Sequence, residues 1–414
     1  MDTEDVVVTG VGIVSSIGCT KDSFWKSLVE GISGVKVIES FDASKHKTQI
    51  ASEVASFNPE IFLNPKQIRR MARVSQFAVC AASMAVQDAG LDLLNMDASR
   101  ICCIVGSAAG DYHNLEEQFV RFREKGPGSV NALTIPKVIP NMPACNVAIT
   151  LGIRGPNLGI STACATGAHA IGIALSLLRL GWADVVIAGG AESTITPFVV
   201  DGYSSMGVLS QRNDAPSRAS RPFDADRDGF VIGEGAGILI LETMRHARRR
   251  SAKILALFKG FGMTCDAHNI AIPEPDGTSA SMAIQNAIQD AKMNVEDIDY
   301  INAHGTSTKV NDRVETNAIQ KALGHCTKRV QVSSIKSMIG HTLGAAGAIE
   351  AVATVLTLHR GILPPNINYE TRDPECDLNI VANEAQQAKP RAAISNSFGF
   401  GGQNATLVFE KYRR

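Results

Sequence analysis

The segment "TACATGAHAIGIALSLLRLG", residues 162–181, places a cysteine among small residues directly before an apolar helix. Residues 340–361, "GHTLGAAGAIEAVATVLTLHRG", repeat this arrangement with a histidine, a turn rich in glycine and alanine, and an apolar helix of similar length. This weak repeat predicts two duplicated halves, 1–255 and 256–414, with the boundary after the basic stretch "RHARRRSAK". The two segments have diverged, so the repeat alone does not establish a duplication.

Short runs rich in β-branched residues alternate with alanine-rich helical stretches along the whole chain. The strand candidates are 5–14, 101–110, 183–192, 235–242, 300–305, 330–336 and 392–400. The helix candidates include 74–91, 167–181, 279–293 and 344–361. Continuous apolar strands alternating with helices indicate buried sheets covered by helices, so the sequence predicts a layered α/β architecture.

Composition and charge exclude several classes of protein. The 414 residues exceed one ordinary core, and 45% hydrophobic with 20% charged residues is typical of a globular enzyme. The formal net charge of −1 argues against nucleic acid or an anionic membrane as the main partner. No apolar run approaches the roughly 20 residues that span a bilayer.

The nine cysteines contain no CxxC pair and no even framework, which predicts reduced thiols. The start of the chain, "MDTEDVVVTGVGIV", is acidic and lacks the basic region of a signal peptide. We therefore expect a soluble, cytoplasmic protein, with a plastid or mitochondrial matrix as the alternative for a mature form.

Cys164 has two interpretations. A thiolate is a nucleophile, and a helix N-terminus favours the negative charge, so this position predicts a thiol with a lowered pKa. Free cysteine is also among the most buried residue types, which makes a core role the default. Cys164 needs chemical partners to be assigned as a nucleophile.

Candidate partners lie in the second half of the chain. His304 in "NAHGTST" (302–308) follows an apolar strand, where active-site residues of α/β sheets gather. Lys336 and His341 lie in "SSIKSMIGHTLGAAGAIE" (333–350), with His341 ahead of the second glycine-rich helix. One cysteine and two histidines at such positions form a stronger candidate site than any of them alone.

The glycine-rich stretches do not predict a cofactor. Neither "GEGAGI" (233–238) nor "GFGGQN" (399–404) matches the dinucleotide fingerprint or the phosphate-binding GxxxxGK[ST] loop. The stretch "DADRDG" (224–229) opens like a calcium loop, but Gly235 stands where the bidentate glutamate belongs. We therefore expect neither a nucleotide cofactor nor calcium.

Five motifs in order resemble the β-ketoacyl-acyl-carrier-protein synthases, the type II condensing enzymes. They are "TACATGAHAIG", "RPFDADRDGFVIGEGAG", "NAHGTST…ND…E", "SSIKSMIGHTLGAAG" and "SNSFGFGGQN", and the resemblance extends from the first strand to "NATLVFEK". It implies the thiolase fold, with two duplicated halves in an αβαβα layering, assembled as a homodimer. It also implies decarboxylative condensation of malonyl-carrier protein with a cysteine-bound acyl chain in fatty-acid elongation, without a cofactor of its own.

The resemblance assigns roles by position. Cys164 would accept the acyl chain, and His304 and His341 would drive decarboxylation of the malonyl unit. Lys336 would order the site, paired with Glu315.

Further roles follow from the same motifs. Phe400 would gate the site, and its N–H and that of Cys164 would form the oxyanion hole. Thr306 and Thr308 would hydrogen-bond the pantetheine arm, and Phe398 would contact the substrate. The family often holds a structural Na⁺ or K⁺, which here would fall on Asn302, Ala303, Glu350, Ser395 and Asn396.

Departures from the family pattern concern the substrate and the carrier. Ala109 stands where isoleucine is usual, and Thr134 stands at a partner-facing position where phenylalanine is usual, which predicts a wide acyl pocket. Arg69 and Arg70 remain as docking residues for an acyl carrier protein. At three other positions where the family usually has basic residues that bind the carrier, this chain has Gly128, Ser129 and Gly207. Lys309 replaces a usual proline, and Gln403 replaces a usual threonine.

Rival functions stay open at this point. The strongest is a ketosynthase of the same mechanism in a specialised polyketide or polyene pathway, paired there with a homologous subunit as a heterodimer. A degradative thiolase needs a second cysteine near the C-terminus, where this chain reads "NSFGFGG". A type III synthase would use Cys-His-Asn, and a non-catalytic chain-length factor would lack the nucleophile.

Overall fold

The structure, a computed structural model, describes residues 4–413. The strands in this part of the chain are β1 (Val6–Val14), β2 (Lys36–Val37), β3 (Ile50–Ala51), β4 (Ile101–Gly106), β5 (Asn157–Leu158), β6 (Val185–Glu192), β7 (Gly235–Thr243), β8 (Ala256–Cys265), β9 (Ile298–Asn302), β10 (Gln331–Ser333), β11 (Ile362–Leu363), β12 (Asn379–Ile380), β13 (Gln386–Gln387), β14 (Ala392–Gly399) and β15 (Gln403–Glu410).

The α-helices are α1 (Lys21–Val29), α2 (Pro65–Arg70), α3 (Arg73–Ala89), α4 (Tyr112–Lys125), α5 (Thr134–Val138), α6 (Met142–Leu151), α7 (Thr166–Arg179), α8 (Pro197–Ser205), α9 (Met244–Arg249), α10 (Thr278–Asp290), α11 (Lys309–Leu323), α12 (Lys336–Ile339) and α13 (Ala346–Arg360). Short 3₁₀ turns connect several of them, including Leu343–Ala345 ahead of α13. None of the helices described is long and apolar enough to cross a membrane.

Eleven strands join in one sheet with the order β12-β10-β9-β14-β15-β8-β1-β7-β6-β4-β5. At its centre, β1 and β8 pair antiparallel through Val6–Val8. On each side of this pair, moving toward the edge of the sheet, the next two strand pairings are antiparallel and the two after them are parallel. The strands of the first half of the chain therefore mirror those of the second, and β12 extends one edge.

Five layers follow from the packing of helices on this sheet. Helices α7 and α13 contact each other and strands of both halves, so they form the central layer. Helix α3 covers β1 and β7 on one outer side, and α10 covers β8 and β15 on the other. This is the expected αβαβα layering. The boundary between residues 255 and 256 stays a prediction.

Small residues bring the two central helices together. A Cβ at Gly167 would lie 2.7 Å from the amide nitrogen of Ala348 and 3.1 Å from the carbonyl oxygen of Gly344. Only glycine allows this approach, which explains the small residues of the two repeated segments. The close packing places the start of α7 beside the turn that precedes α13.

Two strands differ from the sequence prediction. No strand was predicted at the start of the second half, where the structure has β8. The side chains of Ala256–Cys265 mostly alternate between buried and partly exposed. Strand β9 ends at Asn302, which places His304 in the loop beyond it. The mixed polar pattern of β8, with Lys259 and two glycines, hid its period from a search for apolar runs.

Candidate active site

Cys164 lies in a tight turn immediately before α7. Ala163 has a φ of 47°, a left-handed conformation that is uncommon for a residue with a side chain. The hydroxyl of Thr166 accepts a hydrogen bond from the amide of Thr162 at 2.8 Å and closes the turn. Cys164 is 7% exposed, so the turn presents a nearly buried thiol at the head of the helix.

The expected lowering of the thiol pKa is wrong for the resting site. Burial raises the pKa of Cys164 to about 11, although the Lys336 ammonium and the amide N–H of Phe400 act in the opposite direction. The free-energy cost of removing a thiolate from water exceeds the stabilisation that these two groups give it. Cys164 therefore rests as a thiol and must lose its proton as it attacks.

His304 and His341 meet beside each other in the buried interior. Their ring centroids lie 5.3 Å apart with the planes at 85°. Burial and the nearby Lys336 ammonium hold the pKa of both imidazoles well below the ordinary value. Both histidines are neutral at neutral pH, so each carries one proton on one of its two ring nitrogens.

Hydrogen bonds fix which nitrogen carries that proton. Lys336 Nζ lies 3.3 Å from His304 Nδ1, and an ammonium can only donate. The amide N–H of Leu343 donates to His341 Nδ1 at 3.3 Å. Because each Nδ1 is an acceptor, the network assigns the proton to Nε2 in both rings. The site thus holds two neutral N–H donors.

The pairing of Lys336 with Glu315 is wrong. Lys336 instead forms a buried ion pair with Glu350, which reaches it from the central helix α13. Glu315, on α11, accepts hydrogen bonds from the backbone amides of His304 and Gly305 at 2.8 and 2.7 Å. Burial raises the pKa of Glu315 to about 7. Its contacts hold the loop that carries His304.

The loop between β14 and β15 closes over the nucleophile. A Cβ at Gly399 would lie 3.2 Å from the amide nitrogen of Cys164, so this backbone approaches the turn directly. The amide N–H of Phe400 is directed at the Cys164 sulfur. The ring of Phe398 lies 5.8 Å from that of His304. Phe398 and Phe400 therefore both border the site, as expected.

Two cavities meet at Cys164. The first, of about 430 Å³, contains both histidines and Phe398, and it extends past Thr306 and Thr308 to Lys309. The hydroxyls of Thr306 and Thr308 hydrogen-bond each other at 2.9 Å along its wall. The expected binding of the pantetheine arm by Thr306 and Thr308 stays a prediction.

The second cavity, of about 450 Å³, lies on the other side of Cys164 and contains neither histidine. It is lined by Ala108, Ala109, Tyr112, Ala163, Thr194, Phe198, Val199, Gly202, Tyr203, Met206, Leu343 and Phe400. Ala109 thus lies on the wall where it was expected.

Thr134 does not line this second cavity. It is buried on α5, which packs on α4 and α6, whereas the cavity wall comes from the loop after β4 and from α8. Thr134 was expected at a position that faces the partner subunit, so its place in the acyl pocket stays a prediction. Arg69 and Arg70 are exposed at the end of α2 and line neither cavity, so their docking role stays a prediction.

The residues expected to hold a cation leave several polar atoms without partners. Asn302 and Ser395 are register neighbours on β9 and β14. Both side-chain atoms of Asn302, the hydroxyl of Ser395 and Oε2 of Glu350 are buried without a hydrogen bond among the described residues. The side chain of Asn396 bonds Glu315 and Thr406, so Asn396 and Ala303 could offer only backbone carbonyls. These oxygen donors fit a hard monovalent cation.

Glu192 is a site residue that the sequence analysis missed. It is fully buried at the end of β6 and accepts hydrogen bonds from Ser107 Oγ at 2.9 Å and the Ala108 amide at 2.8 Å. The amide of Gly344, in the turn after His341, donates to it at 3.2 Å. Burial raises the pKa of Glu192 to about 7. A carboxylate ending a buried strand, as in "VVIAGGAE", was the available signal.

Comparison with known proteins agrees with this geometry. Residues 3–247 match the family described as "Beta-ketoacyl synthase, N-terminal domain", and residues 255–370 match "Beta-ketoacyl synthase, C-terminal domain". The 3-oxoacyl-[acyl-carrier-protein] synthase 2 of Synechocystis sp. is 46% identical over 413 residues, which are 100% of this chain and 99% of that protein.

Two solved structures share the fold at 34% identity and a TM-score of 0.93. One is the ishigamide ketosynthase/chain length factor, with 99% of this chain and 100% of that chain covered. The other is a ketosynthase bound to the hexaketide, in complex with its type II PKS acyl-carrier protein, with full coverage of both chains. The predicted thiolase fold is confirmed. From its site, its layers and these matches, the chain belongs to the beta-ketoacyl synthase family.

Proposed function

We propose that this protein is a 3-oxoacyl-[acyl-carrier-protein] synthase that joins a cysteine-bound acyl chain to a malonyl unit with loss of CO₂. One observation carries the proposal. Cys164 lies between two cavities, and His304 and His341 border only the first, each as a neutral N–H donor. A nucleophile that lies between one cavity for the acyl chain and another for the malonyl unit is suited to an acyltransferase that works in two steps with ping-pong kinetics.

In the first step, the sulfur of Cys164 attacks the carbonyl carbon of a carrier-bound acyl thioester. The bond to the carrier's sulfur breaks, and the departing pantetheine thiolate takes up the proton released by the Cys164 thiol. The amide N–H groups of Cys164 and Phe400 border the developing oxyanion. Each such donor stabilises the transition state by about 2.7–4 kcal/mol. The product is an acyl-enzyme with its chain in the second cavity.

In the second step, a malonyl thioester occupies the first cavity. Its carbon–carboxylate bond breaks, CO₂ leaves, and the electron pair becomes an enolate on the thioester oxygen. The Nε2–H groups of His304 and His341 donate to that oxygen, because neutral imidazoles can stabilise the charge without losing a proton. The enolate carbon then attacks the acyl group and displaces the Cys164 thiolate, which takes up a proton from water.

We also propose a structural monovalent cation on Asn302, Glu350 and Ser395, with backbone carbonyls of Ala303 and Asn396. Such a cation supplies positive charge beside Glu350 when it is bound. The unpartnered oxygens of these side chains support the proposal. Glu350 itself orients Lys336 whether or not the site is filled.

An acyl carrier protein is the proposed partner in both steps. The solved ketosynthase with its acyl-carrier protein supports this assignment at 34% identity. Arg69 and Arg70 supply exposed positive charge on α2 for an acidic carrier. Replacing both with glutamate should raise KM for the carrier at low salt and leave kcat unchanged, because rim charges mainly tune association. An unchanged KM would place docking elsewhere.

We propose that the protein works as a dimer. The sheet ends in the short edge strand β5, and α4 and α5 carry exposed apolar side chains at Phe119, Phe122 and Ile135. Apolar groups of this size on one side of a chain favour a protein–protein contact. Ile135→Asp should shift the mass measured by light scattering from dimer to monomer, and a monomeric wild type would contradict the proposal.

Two pathways use this reaction. The curated relative at 46% identity supports acyl-chain elongation of the fatty-acid type. A specialised polyketide pathway is the second candidate, and the hydroxyl groups that line the second cavity favour it.

The test of the common reaction is a condensation assay with acyl-carrier protein and labelled malonyl-carrier protein. We expect one CO₂ released for each 3-oxoacyl product formed. Formation of neither product nor CO₂ with any acyl chain would contradict the proposal.

A further inference from the structure

The second cavity is the place for the acyl chain if the proposed function holds. The two histidines that serve the malonyl unit border the first cavity only, and both cavities share Cys164. A chain attached to the sulfur can therefore occupy the second cavity while the malonyl unit fills the first. The chemistry of the second cavity then determines which acyl chains are accepted.

Three hydroxyl-bearing side chains line this cavity: Tyr112 at the start of α4, Thr194 after β6, and Tyr203 in α8. Thr194 is fully buried, and its hydroxyl has no hydrogen-bond partner among residues 4–413, whereas Tyr112 and Tyr203 are only partly buried. The remaining wall is alanine, glycine and larger apolar side chains.

The phenol groups of Tyr112 and Tyr203 lie close to each other and to Cys164. Burial raises the pKa of Tyr203 above its ordinary value, and Cys164, Glu192 and Tyr112 lie close enough to contribute in the same direction. Tyr203 is therefore protonated at neutral pH and offers an O–H group near the nucleophile.

A hydrocarbon chain in this cavity would take water from the phenols of Tyr112 and Tyr203 without bonding them, and it would leave the buried Thr194 hydroxyl without a partner. A buried hydroxyl that loses water and gains no partner disfavours the complex, by roughly tenfold in an equilibrium constant for each group. An oxygen on the acyl chain removes this penalty, because a keto group accepts a hydrogen bond and a hydroxyl group both donates and accepts. The wall therefore discriminates between chains of equal length.

We propose that Tyr112, Thr194 and Tyr203 select acyl chains that carry keto or hydroxyl oxygens over plain hydrocarbon chains. The inference rests on the proposed condensation and adds the class of acyl donor. Such a donor comes from an earlier condensation whose carbonyl was kept, or was reduced only as far as the alcohol. The reaction that precedes this enzyme is then a condensation without complete reduction.

The experiment compares octanoyl, 3-hydroxyoctanoyl and 3-oxooctanoyl chains on the same carrier protein. The rate of Cys164 acylation is followed by intact-protein mass spectrometry and expressed as kcat/KM. The variants Tyr112→Phe, Thr194→Val and Tyr203→Phe, singly and together, remove the hydroxyls and keep the side-chain shapes. Thr150→Val and Tyr369→Phe are the matched controls, because neither residue lines the cavity. Thermal unfolding checks that each variant folds.

The wild type and both controls should prefer an oxygenated chain to octanoyl by about tenfold or more. The triple variant should lose this preference, mainly through faster octanoyl transfer. Equal or faster octanoyl transfer in the wild type, with the same ratio in the triple variant, would overturn the inference and leave the proposed function intact. Failure of all three chains to acylate wild-type Cys164 would instead overturn the proposed function.

Discussion

Lys336 and Glu350 form an ion pair whose side chains are 1% and 0% exposed, and the same ammonium lies 3.3 Å from His304 Nδ1. Lys336 therefore connects the central helix to a histidine of the site. Glu350 neutralises the ammonium, and the ammonium holds His304 in the tautomer that presents Nε2–H. The pair is thus part of the catalytic arrangement as well as of the core.

Replacing Lys336 with methionine should separate these two roles. The change removes the ammonium that pairs with the buried Glu350 carboxylate, and we expect the free energy of unfolding to fall by about 3–5 kcal/mol. Lys336→Met with Glu350→Gln should recover most of this loss, because no unpaired charge remains. Urea unfolding measures the first effect.

Both variants should lose decarboxylation, because His304 Nδ1 has lost its donor in each. CO₂ release from malonyl-carrier protein measures this second effect. A double variant that regains both stability and decarboxylation would show that Lys336 only balances charge.

The two histidines should affect one half-reaction and spare the other. His304→Ala or His341→Ala removes one N–H donor to the enolate oxygen, and we expect CO₂ release to fall by about 10²–10³. Transfer of the acyl chain to Cys164 should remain measurable. His325→Ala, at an exposed histidine, is the control. Unchanged CO₂ release in both active-site variants would remove the histidines from the mechanism.

We expect Glu192 to hold backbone segments that border both cavities. Its carboxylate binds the Ser107–Ala108 loop beside the second cavity and the Gly344 turn beside His341. Glu192→Gln places an amide donor against these N–H groups, so we expect about 1–3 kcal/mol of lost stability and slower rates in both half-reactions.

Gly344→Ala should reproduce this effect. Its Cβ would lie 2.4 Å from Glu192 Oε2 and 2.6 Å from the Ala108 amide nitrogen, so it must displace the same contacts. Acylation and CO₂ release are measured separately for each variant. An effect on only one half-reaction would contradict the shared role of Glu192.

Glu242 predicts how stability changes in acid. Burial alone would raise its pKa, but hydrogen bonds from Arg250, His246 and Thr9 outweigh burial and lower it from 4.5 to about 2. A carboxyl whose pKa is lowered by folding stabilises the folded state at any pH above its ordinary pKa. This stabilisation is lost as the pH falls from about 4.5 toward 2. The contribution is on the order of 3 kcal/mol. Glu242→Gln should flatten the fall in urea-derived stability over this range, and an unchanged slope would contradict the assignment.

Local patterns predicted the site where its parts lie at the ends of apolar elements. Cys164, His304 and His341 each stand beside a small-residue turn or after a strand end, and the packing of Gly167 on α13 brings the elements of Cys164 and His341 together. These signals are contained in short stretches of sequence. The layered architecture followed from the same alternation of strands and helices.

Contacts between distant segments could not be predicted in this way. Glu315 and Glu350 both lie on helices that reach Lys336, and only the three-dimensional packing decides that Glu350 pairs with it. The thiol pKa depends on burial, which the helix position of Cys164 does not report.

The most direct test of the account is the mass of the intact protein after incubation with acyl-carrier protein. Wild type should gain the mass of one acyl group, located on Cys164 by peptide mapping, and lose it as 3-oxoacyl product when malonyl-carrier protein is added. Cys164→Ala should gain no acyl mass, whereas Cys103→Ala, at a buried thiol outside both cavities, should react like wild type. Acylation that persists in Cys164→Ala, or an acyl-enzyme that malonyl-carrier protein does not discharge, would contradict the central claim.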